Sequence, residues 1–157
     1  MSTSVTARRT LLPFLITLVF FSACRDAESS QETLNIRTAS GHVVTYVVEL
    51  AMTTAMHRRG LMRRRSLAAN GGMLFLYRPA SRVTMWMKNT LLPLDMLFID
   101  RRGRIVKIAA NTKPLSTDLI PSESIISAVL EINAGQALRQ GIKVGDRVEY
   151  EPQATSH

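Results

Sequence analysis

Apolar positions in this chain fall into short runs separated by polar or glycine-bearing links, with one longer run standing apart near the N-terminus. His42 to Leu50 is dense in Val43, Val44, Thr45, Tyr46, Val47 and Val48, side chains that suit a pleated surface. Met73 to Tyr77, Val83 to Lys88, Leu94 to Asp100, Arg104 to Ala109, Ile125 to Ile132 and Arg147 to Glu149 are further strand-like segments. Asp100-Arg101-Arg102-Gly103 is a turn, with glycine available for a positive φ, and makes Leu97 to Asp100 and Arg104 to Ile108 antiparallel neighbours. Two helical stretches interrupt the strands. Thr53 to Met62 starts on Thr53 as N-cap. Asn133-Ala134-Gly135-Gln136 has the spacing of an Asn cap with Gln at the third helical position, and Gly141 stops that helix. Many short strands with two minor helices predict a mostly β (α+β) domain, a small barrel or rolled antiparallel sheet.

The long apolar run has a different meaning. Arg8 and Arg9 precede Leu11 to Ala23, 13 residues in all, too short for a helix across a hydrocarbon core that needs about 20. It reads as a secretory signal over residues 1–23, with a retained N-terminal anchor as the competing reading. The run closes on Phe21-Ser22-Ala23-Cys24, which resembles the bacterial lipoprotein box, with Phe21 where Leu is usual. Cys24 is the only cysteine, so no intrachain disulfide or multi-cysteine metal site is available, and lipidation gives the lone thiol a use. A Cys removed with the leader of a simply secreted protein is the plain alternative. Arg8-Arg9-Thr10-Leu11-Leu12 also faintly resembles a twin-arginine signal, against which Ala7 counts. Residues 24–33 are polar and read as a tether, 34–151 as one β-rich domain, and 152–157 as a disordered tail. The expected location is the periplasm or cell envelope, with the chain held to a membrane by its lipid.

Charge narrows the partners without choosing one. With Arg8 and Arg9 removed, 18 Lys and Arg face 12 Asp and Glu, a net +6. That surplus favours acidic partners such as lipid headgroups, phosphorylated polymers or nucleic acid, and the export signal argues against the last.

A set of motifs then runs in order through the chain. Gly60-Leu61-Met62, Arg64 and Gly72-Met73-Leu74-Phe75 open it. Trp86-Met87-Lys88-Asn89-Thr90, Pro93-Leu94-Asp95, Phe98-Ile99-Asp100 and Gly103 continue it. Val129-Leu130-Glu131, Gly135, Gly141-Ile142 and Gly145-Asp146 close it. Together they closely resemble the domain of unknown function 192 family over essentially the whole folded domain. The resemblance implies a compact, mostly β fold common in exported bacterial proteins and no established reaction. Family members often carry an acidic–basic pair in the helix before Gly60, where this chain has Met56 and His57. A function relying on a carboxylate there does not carry over.

The candidate site residues are Arg64, Trp86, Lys88, Asn89 and Asp95. If 83–89 and 94–99 form a hairpin, Lys88 and Asp95 lie symmetrically about its tip, with Trp86 on the same face. One reading is a polar pocket where ammonium, carboxylate and indole converge; the other is an ion pair, with Asn89 serving turn backbone. Among the clustered Arg58, Arg59, Arg63, Arg64 and Arg65, only Arg64 matches the family motif and suits bidentate binding of a carboxylate or phosphate. The other four read as a solvated face or a contact with anionic lipid. Glu131 is a buried acid near a strand end or a rim carboxylate. His42, His57 and His157 show no ligand spacing, and neither a serine-nucleophile motif nor a phosphate-binding glycine loop occurs, so no metal or cofactor is expected. Met85, Met87 and Met96 sit in apolar runs and read as core.

These features favour a non-catalytic envelope module binding a small anionic ligand or an envelope protein through the Trp86, Lys88 and Arg64 region. The alternative is a hydrolase-like enzyme using Asp95 as acid or base with Lys88 as its electrostatic partner. Replacing Cys24→Ser is expected to abolish lipid labelling and release the domain from membranes. Membrane association unchanged in that variant and not reversed by salt would show an uncleaved anchor instead.

Overall fold

The computed structural model describes residues 31–150. Cys24, the leader, residues 24–30 of the expected tether, and the 152–157 tail with His157 lie outside the described residues. Nine strands and two short helices follow one another: β1 Gln31–Arg37, β2 Val43–Ala51, α1 Thr54–Arg59, β3 Gly71–Ser81, β4 Thr84–Met85, β5 Leu94–Ile99, β6 Ile105–Ala109, β7 Ile120–Pro121, β8 Ile126–Asn133, α2 Gln136–Arg139 and β9 Arg147–Tyr150. Seven strands form one sheet in the order β6-β5-β8-β3-β2-β1-β9, curled into a half-barrel. Every neighbouring pair is antiparallel except β2 and β3. A parallel pair needs a crossover, and residues 52–70, with α1 at their start, provide it.

The curl brings the two edge strands together at one corner. Arg104 of the β5–β6 link bridges Arg147 of β9, Ile105 N donates to Asp146 O at 2.9 Å, and Val148 N donates to Gly103 O at 2.7 Å. A side chain at Gly103, where φ is +76°, would put its Cβ 2.7 Å from Val148 O, so the seam closes only over glycine. The hairpin that delivers Gly103 forms as its sequence predicts. Leu97 pairs with Ile108, and the Asp100 carboxylate accepts from Arg102 N and Arg104 N at 2.8 and 2.9 Å.

Period-two alternation sends side chains to opposite faces of the sheet and builds two cores. One contains Leu34, Ile36, Tyr46, Val48, Leu97, Leu130 and Ile132 and is closed by Ala137, Ile142 and Val148. The other contains Met73, Phe75, Met96, Phe98 and Val129, with Leu61, Met87, partly buried Met56, Met85 and Ile120 packed against them. The methionines expected in the core are there.

Four local expectations differ from the structure. The tether ends earlier than Thr33, because Gln31, Glu32 and Thr33 pair with Glu49, Val48 and Val47 of β2. In β1 only Leu34 and Ile36 are apolar, so the alternation is too sparse to read as a strand. Only Thr84 and Met85 of the 83–88 run are strand, and they pair with β7, not β5, so the hairpin about Asn89 does not exist. The second helix is capped by Gly135 at φ +76° without a side-chain bond, while Asn133 ends β8 and donates through Nδ2 to Ala68 O at 2.8 Å. Asn133 instead pairs with Leu94 across β8 and β5. The first helix ends at Arg59, three residues before Met62, where Gly60 turns the chain.

Candidate functional site

Thr53 fixes the start of α1, its Oγ1 accepting from Met56 N at 3.2 Å. Gly60 ends it at φ +44°, and a Cβ there would meet Phe75 Cζ at 3.2 Å, so the turn can lie against β3. Between α1, the Gly60–Met62 turn, the end of β3 and residues 83–86 opens a cavity of about 260 Å³. His57, Phe75, Tyr77 and Trp86 wall it, and Glu131, the one carboxyl lining it, reaches it from β8.

Glu131 occupies a position on the face of Val129, where alternation calls for an apolar side chain. It is 4% exposed and has no hydrogen-bond partner among the described residues. Burial pushes its carboxyl up to about 8, so at neutral pH it holds its proton and can donate. His57 donates from Nε2 to Ala51 O at 2.9 Å. Its ring lies 4.7 Å from that of Tyr77 and 5.8 Å from that of Phe75. The Tyr77 hydroxyl donates to Met85 Sδ at 3.5 Å, and burial, then the nearby Glu131 charge, pushes it up to about 12. Above these groups stand exposed Arg58 and Arg59, neither with an ion-pair partner among the described residues. Trp86 is 44% exposed at the rim, with Lys88 Nζ 5.3 Å from its ring centroid.

The predicted residues divide. Trp86 and Lys88 do come together, as a cation–π pair beside this cavity. Asp95 does not join them. Alternation along β5 turns it away from Met96 and Phe98 to the other core, where it is fully buried and accepts from Asn111 N at 2.8 Å and Ala137 N at 2.9 Å. The carboxylate thereby ties the segment after β6 and the start of α2 to β5, and the Lys88–Asp95 pocket and the acid–base pair drawn from it are withdrawn. Arg64 is also elsewhere. Its guanidinium bonds both oxygens of Glu49 on β2, Nη2 to Oε2 at 2.6 Å, and lines a separate cavity with Leu67 and Gly71. The fork expected to take a ligand is occupied by the protein's own carboxylate, whose hydrogen bond raises the Arg64 pKa. Asn89 serves the turn: it takes a left-handed φ of 58° and its carbonyl accepts from Arg63 N at 2.9 Å.

Missed at the sequence level were His57, Tyr77, Arg58 and Arg59 as a group around Glu131. The readable signal was Glu131 itself, the one charge inside an apolar run that must be buried on both faces. Among the described residues, no group of three or more His, Cys, Asp or Glu comes together that could hold a metal ion.

Fold and cavity define a half-barrel β domain with a buried acid beneath a basic mouth. The chain belongs to the domain of unknown function 192 family, described as an uncharacterized ACR, whose profile matches residues 35–150. It is similar to a Sinorhizobium meliloti 1021 protein provisionally named a transcription regulator, 44% identical, covering 78% of this chain and 95% of that one at a TM-score of 0.77. It is also similar to a protein of unknown function from Novosphingobium aromaticivorans DSM 12444, 39% identical, covering 80% and 89% at a TM-score of 0.76. No curated protein matches the sequence.

Two measurements check this geometry. A carboxyl whose pKa rises on folding holds the fold together below its unfolded value and loses that contribution as pH climbs toward the folded one. Urea stability should therefore fall between pH 4.5 and about 8, by about 1.4 kcal/mol per unit from Glu131 alone, and Glu131→Gln should remove that slope. In a double-mutant cycle, Asp95→Asn should cost about 1–3 kcal/mol by unsettling two buried amide bonds. Lys88→Met should cost under about 0.5 kcal/mol, and the two should add within about 0.5 kcal/mol. Coupling well above that would restore the Lys88–Asp95 site.

Proposed function

We propose that this is a non-catalytic binding module of the bacterial cell envelope that takes a small anionic ligand into the cavity beside α1. The anion sits at Arg58 and Arg59, and an apolar body lies against Phe75, Tyr77 and Trp86. Protonated Glu131 donates a hydrogen bond from below. The observation that carries this reading is the pairing of a basic mouth with a carboxyl that burial keeps neutral. An ionised floor would repel an anion, whereas a protonated one offers it a donor. At about 260 Å³ the space is below the roughly 300–1,000 Å³ of sites for drug-sized molecules, so the ligand is small. The envelope location rests on Arg8, Arg9, the Leu11 to Ala23 run and Cys24.

A regulator that binds nucleic acid is the second reading, favoured by the provisional name of the Sinorhizobium meliloti relative and by the same cations. Thermal melting decides between them. Phenyl phosphate and benzoate should raise the melting temperature in proportion to the logarithm of their concentration, and benzyl alcohol should not. Arg58→Glu with Arg59→Glu should abolish the shift, and Arg101→Glu, on the distant β5–β6 turn, should leave it intact. A shift from duplex DNA but from neither small anion would transfer the basic mouth to nucleic acid.

A further inference from the structure

We propose that the rim of this cavity is a membrane-docking face, on which the domain lies against an anionic bilayer surface. The inference takes from the envelope reading only the presence of a membrane; the face itself is read from the folded domain and does not depend on the cavity's ligand.

Trp86, Leu91, Leu115 and Leu119 are 44%, 43%, 57% and 68% exposed. Single exposed apolar residues are ordinary, but these four stand on segments bonded to one another. Leu115 N donates to Thr90 O at 3.0 Å, Met87 N donates to Ser116 O at 3.1 Å, and Met85 pairs with Ile120 across β4 and β7. Lys113 and exposed Asp118 flank Leu115 and Leu119, one charge of each sign, and the surplus around the four is basic. Segments 52–65 and 82–92 contain seven Lys or Arg and no Asp or Glu. Of these cations, Arg58, Arg59, Arg63 and Lys88 make no ion pair among the described residues.

Backbone strain collects in the same place. Arg63, Asn89 and Leu115 hold left-handed φ values of 63°, 58° and 63°, and Arg63 N bonds Asn89 O. A leucine gains nothing from that conformation, and here it also leaves its side chain in water. Aliphatic tips, one tryptophan and unpaired long cations are the composition that enters a headgroup layer, the indole at the interface and the cations on lipid phosphates. The tether agrees. β1 begins seven residues after Cys24, so an acylated Cys24 would hold the start of the sheet within roughly 25 Å of the bilayer.

Trp86 is the only tryptophan in the chain and reports on the face directly. Full-length protein carrying Cys24→Ser is reconstituted into vesicles containing dibrominated phosphatidylcholine, with or without phosphatidylglycerol. With phosphatidylglycerol, Trp86 emission should move to the blue and be quenched at least twofold, and 0.5 M NaCl should reverse most of the quenching. Leu115→Asp with Leu119→Asp should abolish the quenching while leaving the phenyl phosphate melting shift unchanged. Asp tolerates the left-handed backbone at position 115 better than Leu, so the variant is expected to fold. Protein that remains with the vesicles through its leader while Trp86 stays unquenched would overturn the proposal, as would equal quenching in vesicles lacking anionic lipid. Failure of the small-anion shift alone would leave the docking face standing and remove only the ligand reading.

Discussion

Strand β8 lies between β3 and β5 with a packed core on each face, so no side chain along its middle can reach bulk water. Everything placed there must be apolar or must answer for its polarity. Ala128, Leu130 and Ile132 fill one core and Val129 the other. Glu131 breaks the pattern on the side that α1 and residues 83–86 cover. Its carboxyl has a small cavity rather than a partner, and the low polarity of that setting keeps the proton on it near neutral pH. The character of the site follows from this single substitution of an acid into a central strand.

Asp95 on the adjoining β5 shows what an acid does when it is buried and satisfied. Two backbone amides, of Asn111 and Ala137, point at its two oxygens and turn a buried charge into a clamp between segments far apart in sequence. The two acids lie on neighbouring strands but on opposite faces of the sheet, and their roles differ accordingly. One is bonded on both oxygens and structural; the other is left open to a ligand. Arg64 and Glu49 repeat the first theme at a third place, closing a fork that sequence alone would leave for a ligand.

The side-by-side arrangement of cavity and basic rim also has a physical origin. The crossover from β2 to β3 must travel over the sheet to make a parallel pair, and it carries its arginines with it. The 82–92 segment fails to pair with β5 and folds over the same face, held by the short β4–β7 ladder and by Met87 in the core beneath. Both coverings present cations, Arg58, Arg59 and Lys88, outward near the mouth of the cavity they form. A small domain thus places basic groups above a buried acid without devoting a separate element to either.

Local chemistry was legible in the chain. The Asp100 to Gly103 turn, the Thr53 cap, the strand-like runs of β2, β5, β6, β8 and β9, and the motifs that mark the family each depend on residues close in sequence, so spacing alone specifies them. Trp86 beside Lys88 was legible for the same reason. What the sequence could not decide was pairing. Whether the 83–88 run meets β5 or β7, whether Asn133 caps a helix or ends a strand, and whether Arg64 meets a ligand or Glu49 depend on contacts between distant segments. Alternation along β5 and β8 puts Asp95 and Glu131 on opposite faces, and without a hairpin about Asn89 nothing carries Asp95 to the side of Trp86 and Lys88. The tertiary structure settled those choices through the competition for buried backbone bonds and for the two faces of one curled sheet.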